Sequence, residues 1–229
     1  MRYTMRGRLL LLFVLCALLF WLQTTTPYGA IPALAASDTL VWVDLQSMTL
    51  TLYQDDKAVA TWPVAGGKGT TPTPIGVFRV VRRFTRQPGV MGTRFLGLDV
   101  PWGVYGIHGT NAPGSIGSRA SCGCIRMYNR DVEALYRLVP VGTRVVIEDG
   151  PYQSIGWTLK TLKPGDVGSQ VLMAQKRLFA LGYYDSGFDG KYGPGMSDAI
   201  KRLKADSGLP ALDVVDAATW DVMGVILFE

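Results

Sequence analysis

The apolar pattern of this chain changes period once, and that change imposes two kinds of structure on one polypeptide. Across residues 37–150 the apolar residues fall in short, alternating or continuous runs: 40–44, 49–53, 58–64, 76–81 and 143–147. Such runs, separated by polar turns at Gln46-Ser47 and Asp55-Asp56-Lys57 and by the glycine loop 66–69, read as β-strands. One helix is expected among them. Asn129 reads as its N-cap, Asp131 and Glu133 suit its first turn, and Val132, Leu135, Tyr136 and Val139 make one apolar face before Pro140. After Gly150 the period becomes helical. A linker or edge strand over 151–160 leads to three amphipathic helices: one capped by Ser169 with Val171, Ala174, Leu178 and Leu181 inward, one opened by Pro194, and one capped by Asp216. The expectation is a mainly β domain over 38–150 and a small three-helix domain over 161–229.

The N-terminus reads as a targeting segment. Arg2, Arg6 and Arg8 precede an uncharged apolar run, residues 9–22. As a helix this run reaches only about 21 Å, short of a hydrocarbon core of about 30 Å. A secretory signal over residues 1–35, with Ala33-Leu34-Ala35 as cleavage site, is favoured over an uncleaved anchor. Leu15 before Cys16 argues against lipidation there. Without these residues and their three arginines, the formal charge falls from +5 to +2. A nucleic-acid partner therefore loses its main support, and membrane contact is expected only through an uncleaved segment.

The remaining cysteines, Cys122 and Cys124, are separated by one glycine, so no disulfide framework holds the chain together. The only histidine, His108, stands sixteen residues before Cys124. A thiol becomes a nucleophile at neutral pH with help from a base or a nearby positive charge, and imidazole is the common partner. Spacing alone leaves the inert reading open, with Cys124 as packing and His108 as an ordinary histidine. A zinc site from His108, Cys122 and Cys124 offers three ligands without a fourth, and the loop acids miss EF-hand spacing. No metal and no cofactor are expected. The nucleotide-binding glycine motifs are missing as well.

Three segments carry more information: Thr71-Pro72-Thr73-Pro74-Ile75-Gly76-Val77-Phe78, His108-Gly109-Thr110-Asn111, and Ser121-Cys122-Gly123-Cys124-Ile125-Arg126. In that order they resemble the YkuD-type L,D-transpeptidase catalytic domain, whose members cross-link bacterial peptidoglycan. The likeness runs over about 38–150. Residues 162–220 are similar, more loosely, to a three-helix peptidoglycan-binding domain. Leu203-Lys204 stands there where that family commonly has an aromatic-Gln pair.

The resemblance implies a β-sandwich-like fold, with Cys124 as nucleophile and His108 as its base. It implies peptidoglycan stem peptides and glycan as partners, and an extracytoplasmic site of action. Backbone N–H groups of Gly123 and Cys124 are the candidate oxyanion donors. Arg126 either pairs with a substrate carboxylate or fixes its turn through backbone carbonyls. Ser121 and Asn111 either contact substrate or stabilise their loops by hydrogen bonds. Residues 71–74 are expected to form a rigid turn beside the cleft. The family usually has His at the place of Cys122, which here either fills space or bridges reversibly to Cys124. Competing outcomes are hydrolysis of stem peptides, and wall binding without catalysis.

Overall fold

The computed structural model describes residues 38–85, 89–150 and 158–225. The expected signal segment and residues 151–157 of the expected linker lie outside the described residues.

Ten strands build the first part: β1 Thr39–Asp44, β2 Thr49–Gln54, β3 Lys57–Pro63, β4 Gly66–Gly67, β5 Gly76–Thr85, β6 Arg94–Leu98, β7 Tyr105–Gly109, β8 Arg119–Ser121, β9 Ile125–Met127 and β10 Arg144–Glu148. Eight are joined in the order β3-β2-β1-β10-β5-β6-β7-β9, and β4 pairs with β8 apart from them. The long strand β5 belongs to both halves. Its residues 76–79 pair with β10, and after a register shift between Val80 and Arg82 its remainder pairs with β6. Such a shift bends a strand and lets one element serve two sheet faces. The β2–β3 turn uses Asp55 and Asp56, both at positive φ, as tight hairpin turns require.

The core follows the alternation of the strands. Val41 and Val43, Leu50 and Leu52, Phe78 and Val80, and Val145 and Ile147 point inward together. Helix α1 (Asn129–Leu138) follows β9, packs on β6 and β7, and adds Val132, Leu135 and Val139 to this core. Its cap is Tyr128 and not Asn129, whose side-chain oxygen instead accepts from Thr93 N–H at 3.2 Å.

Three helices form the second part: α2 Ser169–Ala180, α3 Pro194–Asp206 and α4 Ala217–Val222. Their own core holds Val171, Ala174, Leu178, Met196, Ala199, Ile200, Leu203 and Trp220. Asp216 caps α4 as expected, accepting from Thr219 N–H. Two expectations fail here. Leu181 is exposed, because it lies past the last turn of α2. Ser169 is the first helical residue and not the cap, which is Gly168, and its hydroxyl accepts from Ile75 N–H at 2.9 Å. The fold is thus a mainly β-sheet part with a helix after the Cys124 turn, followed by a three-helix region. Among the described residues, no helix is long and apolar enough to cross a membrane.

Candidate active site

His108 lies in β7, whose parallel neighbour β9 begins just after Cys124. Register sets Ile107 opposite Ile125 and His108 opposite Arg126. Residues opposite each other in register share a face, so Arg126 stands beside His108, while Ile107 and Ile125 are buried on the other side; Cys124 lies in the turn that leads into β9. Pairing of β7 with β9 thus brings the strand that holds His108 beside the one that Cys124 immediately precedes.

The imidazole is buried and held on two sides. Its Nδ1 lies 2.5 Å from the Gly109 carbonyl oxygen. A carbonyl only accepts, so Nδ1 carries a proton, and Nε2 is the nitrogen at which the ring can hold a lone pair. The ring also stacks on Phe95, with centroids 6.0 Å apart and planes 12° apart, and Phe95 stacks in turn on Phe84.

Cys124 is half-buried, its Sγ 4.0 Å from the Val104 carbonyl oxygen. Burial pushes its thiol up from the ordinary value. A backbone hydrogen bond from Gly106 and the Arg126 charge oppose that rise, and Cys122 adds to it.

The turn around it is tied down by Ser121. The Ser121 hydroxyl accepts from Gly123 N–H at 3.0 Å and donates to the Cys124 carbonyl at 2.5 Å. Of the two roles expected for Ser121, these bonds serve the loop-stabilising one, and they engage the Gly123 amide, one of the two candidate oxyanion donors. Glycine at 123 is nonetheless required. Its φ is +108°, and a Cβ there would lie 2.6 Å from Tyr105 Cε1.

Sequence comparisons cover the region that holds these residues. The family described as the YkuD L,D-transpeptidase catalytic domain matches residues 38–147, and a peptidoglycan-binding domain family matches 167–223. YkuD of Bacillus licheniformis, named as an L,D-transpeptidase, is 48% identical over 51% of this chain and 72% of its own length. YqjB of Bacillus subtilis, similarly named, is 34% identical over 60% of this chain and 85% of its own. The chain belongs to the YkuD family of L,D-transpeptidases. Among solved structures it is similar to an L,D-transpeptidase from Mycobacterium smegmatis, at 23% identity and a TM-score of 0.42, covering 49% of this chain and 59% of that one. An L,D-transpeptidase of Enterococcus faecium is 28% identical with a TM-score of 0.43, covering 48% and 49%.

In this YkuD-family chain the remaining candidates separate by their surroundings. Arg126 engages Ala65 through its backbone, while its guanidinium reaches Ser115 Oγ at 3.5 Å. Among the described residues its guanidinium bonds no turn carbonyl, and its charge acts on Cys124. Asn111 is exposed and makes no hydrogen bond among the described residues; the loop is instead fixed by Thr110 Oγ1, which accepts from Ala112 N–H at 3.0 Å. Cys122 is exposed and free, so it fills no space in the interior. Residues 71–74 do border the turn. Thr71 Oγ1 donates to the Ser121 carbonyl, and Thr73 Oγ1 accepts from Gly67 N–H. No group of three metal-ligating side chains is gathered among the described residues.

Phe95 and Tyr105 were not anticipated from sequence. The alternation of β6 and β7 carries the signal, but Gly97, Gly106 and Gly109 dilute it, because glycine is a poor strand former. Close packing calls for all three of these glycines. A Cβ at Gly106 would lie 2.6 Å from the Phe95 ring, and one at Gly97 would lie 2.6 Å from the Arg82 side chain.

Proposed function

We propose that this chain is an extracytoplasmic L,D-transpeptidase that cross-links peptidoglycan stem peptides through a thioester on Cys124. Residues 38–150 form its catalytic domain, 151–160 a linker and 161–229 a wall-binding domain. One observation carries the reading: His108, with Nδ1 committed to the Gly109 carbonyl, lies in β7 beside β9, the strand that Cys124 immediately precedes.

Deprotonation accompanies attack. His108 Nε2 takes the Sγ proton as sulfur adds to the donor amide carbonyl. The oxyanion is met by the Cys124 amide, the next N–H of the turn after the one Ser121 occupies. The C–N bond then breaks, Nε2 protonates the leaving amine, and a thioester remains. An acceptor amine attacks that thioester, passes its proton to Nε2, and expels sulfur, which recovers the proton. Arg126 binds a carboxylate of the stem and favours developing negative charge at sulfur. The apolar N-terminal run, residues 9–22, supports export, and the second family match supports attachment to the wall.

Product analysis with a disaccharide-tetrapeptide tests this. Cross-linked dimer is expected. Tripeptide alone would indicate a hydrolase, and unchanged substrate with retained binding would indicate a wall-binding protein. Cys124→Ala removes either chemistry and keeps binding to sacculi.

A further inference from the structure

We propose that the helical part is a positioning element of the acyl-transfer site, because α2 and the Asp189-Gly190 turn grip the two segments that flank the Cys124 turn. The proposal builds on the catalytic reading of Cys124 and extends it to residues that no part of that chemistry uses.

The first segment is 71–75. Pro72 O would lie 3.3 Å from a Cβ on Gly123, and Thr71 donates to the Ser121 carbonyl. Its far end is held from the helical part, where Ser169 Oγ, in the first turn of α2, accepts from Ile75 N–H at 2.9 Å. One turn on, Leu172 leaves the helical core and is buried in the core of the strands. The second segment is 102–105, which presents the Val104 carbonyl to Cys124 Sγ and the Tyr105 ring to Gly123. Gly190 rests on it so closely that a Cβ there would lie 2.3 Å from the Trp102 ring.

That second contact is rigid. Gln175 of α2, fully buried, donates to Asp189 Oδ1 at 2.8 Å and to the Lys191 carbonyl at 3.0 Å, and accepts from Gly190 N–H at 2.8 Å. A buried amide with all these groups satisfied fixes the turn in one place. Helix α2 therefore reaches both walls of the nucleophile, one through Ser169 and the other through Gln175 and Gly190. A tether that merely carried the enzyme to the wall would need neither contact.

The test uses the full chain with Ser169→Ala, Trp102→Ala and the conservative Ser169→Thr. Two readouts are taken below the unfolding temperature of each variant: turnover of a tetrapeptide stem, and alkylation of Cys124 by iodoacetamide in a Cys122→Ser background, located by peptide mass mapping because Cys122 is itself free and exposed. Loosened walls misplace the sulfur yet admit water to it. Ser169→Ala and Trp102→Ala should therefore lower kcat by roughly 5- to 20-fold with KM within twofold, while Cys124 alkylation quickens at least threefold. Ser169→Thr, which keeps the hydroxyl, should restore both. Unchanged kcat and unchanged alkylation in both alanine variants would overturn the proposal and leave the transpeptidase reading intact. If the unaltered chain turns over no stem peptide while the alkylation contrast holds, the transpeptidase reading fails and the grip on the Cys124 turn stands.

Discussion

Phe95 lies almost parallel to the His108 ring, on the neighbouring strand and directly opposite it in register. The stack orients the imidazole plane, while the Gly109 carbonyl sets which nitrogen is protonated. Phe95→Leu keeps most of the apolar volume and removes the flat surface. We expect roughly a tenfold loss of kcat with KM little changed, and a stability loss of about 1 kcal/mol. Steady-state kinetics and thermal unfolding check the two parts separately.

Arg126 holds the Cys124 thiol below where burial alone would put it. In Arg126→Gln that opposition is gone, so the thiol rises further and less thiolate exists at any given pH. The pH profile of Cys124 alkylation should move to higher pH. A shift the other way would show that the Arg126 charge does not act on the sulfur.

Any side chain at 123 must adopt φ near +108° and also meet the Tyr105 ring. Gly123→Ala should destabilise the first part by more than about 1 kcal/mol and remove most acyl transfer. Calorimetry alongside product analysis would reveal a tolerant turn if both stay near their original values.

Lys204 is buried in α3 with its Nζ 3.1 Å from Asp216 Oδ2. Hydrogen bonding from Thr219 chiefly, with help from Lys204, lowers the Asp216 carboxyl to about 2. A depressed folded value means that this stabilisation is complete above the ordinary carboxylate value near 4. It fades as pH falls through about 2. Thermal unfolding followed from pH 6 to pH 2 should show this loss, and Asp216→Asn should flatten that part of the profile.

Much of the site was legible because its chemistry is local in the chain. The Ser-Cys-Gly-Cys turn, the His-Gly-Thr-Asn run and the Thr-Pro repeat each carry their meaning within a few residues. The Asp216 cap was legible for the same reason, since its partner is three residues away. The strands that carry the site were harder to see: β6 and β7 hold glycines at 97, 106 and 109, where neighbouring side chains and backbone leave no room for a Cβ. The cap assignments at Asn129 and Ser169 failed because each side chain found a distant partner, Thr93 and Ile75.

By itself, then, the chain named the candidate nucleophile and base and the order in which they occur, since residue identity and short motifs mark Cys124, His108 and the turn. Tertiary structure decided how those atoms are held. It committed the Gly123 amide to Ser121, set Phe95 against His108, and brought Ser169 across ninety-four positions to Ile75. The physical reason is reach: a hydrogen bond or a ring stack acts over a few ångströms, and only strand pairing and core packing bring residues so remote in sequence within that distance.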